Sequence, residues 1–380
     1  MSRPIRVSGL ALLAVLAGLA LIALISGRPA PDERATGISA RQPEVAYLYP
    51  ATGSPQNIWI ARPGDPTSAR QITFDPSGVF DFSVSPDGAQ IAFSAPNGAT
   101  GFTDLYQLDL ATGGLTQLTN CLNAACTGPV WRPGGQAIAY EREELDAAAP
   151  NASASSTRIW LLDPIAVPAT TQPLLSDHLQ ILGHSPRWSA DGQTIAFYSP
   201  NLGAVIVYQP ETGQITSVPS GASTSGDLSP DGTKLAYSEI VINEETGANS
   251  VLRLADLENH TDIQLTEADV QADDGRALWR PDGQTLAVAR RDERVQRGYQ
   301  VVEMDPATGE VQPLTTDPRY SNRYFWWNPA GTQLVLQRFA ELDENLQPKL
   351  DGYPEVWTLD VESGAMTLVA EDGMLPQWVP

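Results

Sequence analysis

The chain has 380 residues, of which 42% are hydrophobic and 18% charged, enough apolar material for the core of one large or two medium domains. Its formal net charge of −22 argues against nucleic acid as a partner, because that affinity comes largely from Lys and Arg neutralising phosphates. Gly and Pro at 31 each favour many short strands over long helices.

Residues Val7 to Gly27 carry no charge and are almost wholly apolar, and Arg3 and Arg6 precede them. At about 1.5 Å rise per residue the run spans a hydrocarbon core of about 30 Å. It reads as an uncleaved signal anchor or as a cleaved signal peptide. The run is longer than an h-region of about 7–15 residues, and neither an Ala-x-Ala site nor a lipidatable Cys follows, which favours the anchor. Residues 1–28 are therefore expected to form one transmembrane helix with a cytoplasmic N-terminus. A flexible linker, 29–42, would follow. Residues 43–380 would then lie on the extracytoplasmic side of a cell membrane, or be secreted if the segment is cleaved.

From Glu44 the chain settles into a repeat. SPDGTKLAYS at Ser229 has near-copies in SPDGAQIAFS at Ser85, RPGGQAIAYE at Arg132, SADGQTIAFY at Ser189, RPDGQTLAVA at Arg280 and NPAGTQLVLQ at Asn328. Each reads as a turn between two strands. Pro presets φ, Asp bonds backbone two residues on, and Gly supplies the left-handed conformation that closes the turn. The Asp87, Asp191, Asp231 and Asp282 carboxylates are thus assigned to turns rather than to catalysis or metal binding.

Around each turn the sequence supplies four strand-like runs, as in FDFSV, QIAFSAP, DLYQLDL and GLTQLT in the first complete unit. Six such units follow one another. Three strand-like runs precede them, and a lone MLPQWVP follows. The three and the one add up to a seventh unit. The aligned positions Val84, Trp131, Trp188, Leu228, Trp279, Trp327 and Trp378 lie 47, 57, 40, 51, 48 and 51 apart. Such spacing predicts an all-β, seven-bladed β-propeller of four-stranded blades, closed three-plus-one by the two termini; six blades with stray terminal strands is the alternative. The Trp column is expected to fill the wedges between sheets. Trp326 must face the opposite way from Trp327 by strand alternation.

Several signals bear on chemistry. Cys121 and Cys126 fall between one unit's last strand and the next unit's first; in an oxidising compartment they would form a local disulfide, and otherwise they are two unrelated small residues. A zinc site lacks ligands, and no Gly-x-Ser-x-Gly, phosphate loop, His-Glu-x-x-His or EF-hand loop occurs. The acidic stretch Glu267–Gly275 reads as a solvated loop rather than a calcium site. Long polar loops at Glu144–Ser156 and Glu341–Pro354, and Asn-x-Ser/Thr acceptors at Asn151 and Asn259, mark surface. Residues at the start of each unit's first strand would ring one channel mouth. Asp81, His184, Asp227, Arg276, Arg323, Tyr324 and Trp326 are the candidate binding residues, with no catalytic residue, metal or cofactor expected.

The pattern Trp-x-Pro-Asp-Gly, then Ile/Leu-Ala-Phe/Tyr, then a strand ending Asp-x-x-Thr-Gly, then Gln-Leu-Thr, resembles the TolB-type, WD-repeat-like β-propeller repeat. SVSPDGAQIAFS with LYQLDLATGGLTQLT, and LWRPDGQTLAVA with VVEMDPATGEVQPLT, carry it best. The resemblance implies a non-enzymatic platform of the cell envelope that binds a protein or peptide. The chain is expected to depart from TolB in lacking its N-terminal α/β domain, and from propeller peptidases in lacking an α/β-hydrolase domain. A propeller hydrolase, lyase or lactonase with a channel site is the alternative, and the chain is expected to be a monomer.

Overall fold

A computed structural model describes residues 42–145, 157–176, 179–243, 247–267, 272–294 and 297–380. The anchor, the linker to residue 41, most of the Glu144–Ser156 loop and the Asn151 acceptor lie outside the described residues. Among the described residues no helix is long and apolar enough to cross a membrane. Every element there is a β-strand.

The strands follow one another as β1 (Glu44–Tyr49), β2 (Asn57–Arg62), β3 (Asp65–Gln71), β4 (Asp81–Val84), β5 (Gln90–Pro96), β6 (Thr103–Asp109) and β7 (Leu115–Gln117). Next are β8 (Ala124–Trp131), β9 (Ile138–Glu144), β10 (Arg158–Asp163), β11 (Thr170–Pro173), β12 (His184–Trp188), β13 (Ile195–Ser199), β14 (Ala204–Gln209) and β15 (Gln214–Pro219). Then come β16 (Asp227–Leu228), β17 (Lys234–Asn243), β18 (Gly247–Asp256), β19 (Thr261–Gln264), β20 (Ala272–Trp279), β21 (Leu286–Asp292), β22 (Gln300–Met304) and β23 (Val311–Pro313). The last five are β24 (Tyr320–Trp327), β25 (Gln333–Ala340), β26 (Pro354–Asp360), β27 (Met366–Ala370) and β28 (Met374–Val379).

Consecutive strands pair antiparallel in four-stranded meanders, β12 to β15, β16 to β19, β20 to β23 and β24 to β27. The last strand, β28, pairs with β1 in the order β28-β1-β2-β3, with Val45 opposite Trp378. Strands β4 to β11 form one eight-stranded sheet, because Thr103 and Ala125 make a parallel bridge between β6 and β8. The cause is local. Strand β8 starts at Ala124, ahead of the expected GPVW stretch, so its first residues reach the third strand of the preceding unit. Cys126 therefore lies inside a strand rather than in the connection. It is disulfide-bonded to Cys121 across a Cα separation of 6.2 Å, and both are buried.

The turns behave as their composition dictates. In all six copies the Gly N–H donates to the carbonyl three residues back, as from Gly88 to Ser85 and from Gly232 to Ser229. Asp87, Asp191, Asp231 and Asp282 each accept the N–H two residues on. Hydrogen bonds from Ser85, Ser189 and Ser229 hydroxyls also reach the first three of these carboxylates. Of the two turns that lack Asp, the one at Asn328 uses Asn328 Oδ1, which accepts from Thr332 and Gln333 N–H groups.

First strands contact one another in succession, β4, β8, β12, β16, β20, β24 and β28, and β28 contacts β4. Trp131, Trp279 and Trp378 are buried at the seams. The indole N–H of Trp131 donates to the Ser83 carbonyl, that of Trp327 to Leu278 and that of Trp378 to Trp326, each on the preceding first strand. Trp188 and Trp327 are half-buried and roofed by Arg132 and Arg280, 5.1 and 5.5 Å from the ring centres.

Candidate binding site at the first strands

Strand alternation sorts the first-strand residues. Those one and three positions before the aligned apolar column share the face opposite to it. Asp81, Arg276 and Tyr324 stand three before; Arg187, Asp227 and Trp326 stand one before. The register shift in β20 between Asp274 and Ala277, and in β24 between Asn322 and Tyr324, adds a residue to each strand and re-aims its first half.

A cavity of about 430 Å³ opens on this face, lined among others by Arg187, Arg276, Arg323, Tyr299, Tyr324 and Asp273. Gly226 shapes its wall. Its φ is +66°, and a Cβ there would lie 2.5 Å from the Ala236 carbonyl oxygen, so no side chain fits the approach of this loop to β17. The Arg187 and Arg276 guanidinium carbons lie 4.4 and 4.0 Å from the centre of the Trp326 ring. Trp326, whose outward role the sequence left open, is thus the stacking floor for two arginines.

Asp227 stands beneath them. Its Oδ2 accepts the Trp279 N–H at 2.8 Å, joining β16 to β20. Burial pushes its carboxyl up to about 6, against the pull of Arg187, the Trp279 N–H and Arg276. Burial, and then the neighbouring Arg187 charge, hold the Arg276 guanidinium well below its ordinary value, with Asp227 and Tyr324 opposing. Arg276 Nε and Nη2 are buried and make no hydrogen bond within the protein.

Nearer the mouth, the exposed Arg323 lies 4.9 Å above the Tyr299 ring. The Tyr299 hydroxyl donates to Asp273, whose other oxygen accepts the Ser250 N–H at 3.0 Å. Burial, followed by the Asp273 carboxylate, raises the Tyr299 phenol to about 12. Asp273 and Asp274 were expected in a solvated loop, yet Ala272–Gly275 belongs to β20, and Asp274 is buried opposite Arg290. Pairing with the Arg290–Arg291 edge of β21 is what extends the strand.

Of the expected residues, Arg276, Arg323 and Tyr324 line the cavity, and Asp227 and Trp326 support it. Asp81 and His184 stand elsewhere. Asp81 accepts from the Ser94 hydroxyl and the Gly128 N–H, a seam role, and burial raises its carboxyl. The His184 ring packs 5.3 Å from Tyr198, and burial lowers its pKa. Arg187 was missed, although its place one residue before Trp188 matches that of Asp227 and Trp326. Tyr299 and Asp273 carried no comparable signal.

No family model matches the chain, and no curated protein matches it. Solved structures do. TolB from Acinetobacter baumannii is 16% identical at a TM-score of 0.50, covering 99% of this chain and 74% of its own. Oligogalacturonate lyase from Vibrio parahaemolyticus is 13% identical at 0.56, covering 86% of each chain. A puromycin-hydrolyzing peptidase of Mycobacterium tuberculosis is 14% identical at 0.58, with 87% of this chain spanning 53% of that one. At these identities the likeness is one of fold: the chain has a TolB-like β-propeller fold.

Proposed function

We propose that the chain is a membrane-tethered, extracytoplasmic, seven-bladed propeller that binds a protein or peptide segment at one channel mouth without chemical turnover. The observation that carries this reading is the 430 Å³ cavity, where half-buried arginines meet the exposed Arg323 and Tyr324. Exposed Arg and Tyr around a buried aromatic centre are the residue types that anchor protein partners. The cycle of first-strand contacts and the β28–β1 pairing support seven blades closed by the two ends of the repeat region. The Cys121–Cys126 disulfide suits an oxidising compartment and supports the extracytoplasmic placement.

The enzymatic alternative, a propeller hydrolase, lyase or lactonase, needs a group in the cavity tuned to move a proton near neutral pH. Tyr299 at about 12 is a poor base, and Asp273 is committed to the Tyr299 hydroxyl and the Ser250 N–H. Asp227 has a suitable pKa but lies below the arginines, bonded to backbone.

Capture by the full chain from envelope extract, repeated with Tyr324→Ala, tests the reading. A specific protein retained by the wild type and lost with the variant is expected. Turnover of an ester or a saccharide, with no protein captured, would overturn it.

A further inference from the structure

Resting on the peptide-binding reading, the geometry points to the ligand's chemistry: a peptide carboxylate seated on Arg276, Arg187 and Arg323, with a neighbouring apolar side chain against Ile240 and Ile242. Arg276 argues for the anion. Arg276 lines the cavity with its guanidinium resting on Trp326, and no protein acceptor offsets its buried Nε and Nη2. Unpaired buried donors are costly, and the planar guanidinium fork matches a carboxylate.

The surrounding charges leave that position open to an external anion. Asp227 Oδ2 is turned to the Trp279 N–H, and Asp273 is held by the Tyr299 hydroxyl and the Ser250 N–H. Arg187, Arg276 and Arg323 line the cavity together with the carboxylate of Asp273, in a chain whose net charge is −22. An incoming carboxylate would relieve the repulsion between Arg187 and Arg276 that the fold now bears.

The hairpin of β17 and β18 argues for a peptide over an acidic saccharide. Alternation puts Ala236, Ser238 and Ile240 on the cavity wall, and Ile242 continues the same face beyond it. Ile240 and Ile242 are 43% and 77% exposed. A sugar would set hydroxyls against them, whereas a peptide with an apolar residue next to its acidic one would cover them.

Calorimetric titration of the full chain with acetyl-Leu-Asp-Leu-Asp-Leu-amide, its Asn counterpart and galacturonate tests the assignment. The Asp peptide should bind at least about tenfold tighter than the Asn peptide, and should weaken as salt is raised. Arg276→Met should erase the preference. Arg323→Gln, at an exposed position that leaves the fold intact, should reduce it about threefold. Equal binding of both peptides would overturn the carboxylate assignment and leave the peptide reading standing. A preference unchanged in Arg323→Gln and in folded Arg276→Met would place the carboxylate elsewhere and overturn it as well. Galacturonate binding that depends on these arginines, with neither peptide bound, would overturn the peptide reading itself.

Discussion

Asp227 couples the seam to the site, since one carboxylate caps the Trp279 N–H and sits beneath Arg187 and Arg276. Its pKa in the fold, about 6, exceeds the unfolded value of about 3.9. The stability it contributes is therefore full below about pH 4 and is lost as pH rises through 6. The same proton changes the cavity. With Asp227 neutral, Arg187 and Arg276 face an incoming anion uncompensated, so the Asp peptide should bind several-fold tighter at pH 5.5 than at 7.5. Asp227→Asn should bind tightly at both values. An equal pH slope in the variant would show that another group is responsible. His184, whose pKa burial lowers from 6.5, packs on Tyr198 and supplies the control position.

Elements were legible in the sequence wherever a residue acts through backbone chemistry it carries with it. The Pro-Asp-Gly turns bring their own hydrogen bonds, so six copies sufficed to place twelve flanking strands, and the Trp spacing located the seams. Strand ends were less legible because partners decide them. Strand β8 starts early beside the disulfide, and β20 continues through Asp273 and Asp274 because Arg290 and Arg291 lie opposite. Site residues were partly legible, since alternation gives a side chain's face but not its neighbours; Tyr299 reaches the cavity from β22's leading edge, with no pattern to announce it. The disulfide belongs to this scale too. For so short a loop, chain entropy predicts a contribution of about 2 kcal/mol. Reducing it should lower the unfolding free energy by that amount in a denaturant titration. An unchanged midpoint with and without reductant would contradict the estimate.

Across the whole propeller, repetition sets the frame and departures from it set the function. Five first strands keep Trp at the aligned position, while the residues one and three before it vary in charge and size from strand to strand. Where Arg187, Arg276 and Trp326 come together the ring acquires a cationic recess within an acidic chain, beside the hairpin of β17 and β18. A net charge of −22 disfavours general association with anionic partners, and under the proposed reading they would dock at this recess. Hydrogen–deuterium exchange on the full chain, with and without the protein captured from envelope extract, tests that localisation most directly. Added protection in the strands Ala272–Trp279 and Tyr320–Trp327 and in the hairpin around Ile240 is the predicted result. Protection confined to the outer recess at Phe74 and Leu115, with those strands unchanged, would contradict the account.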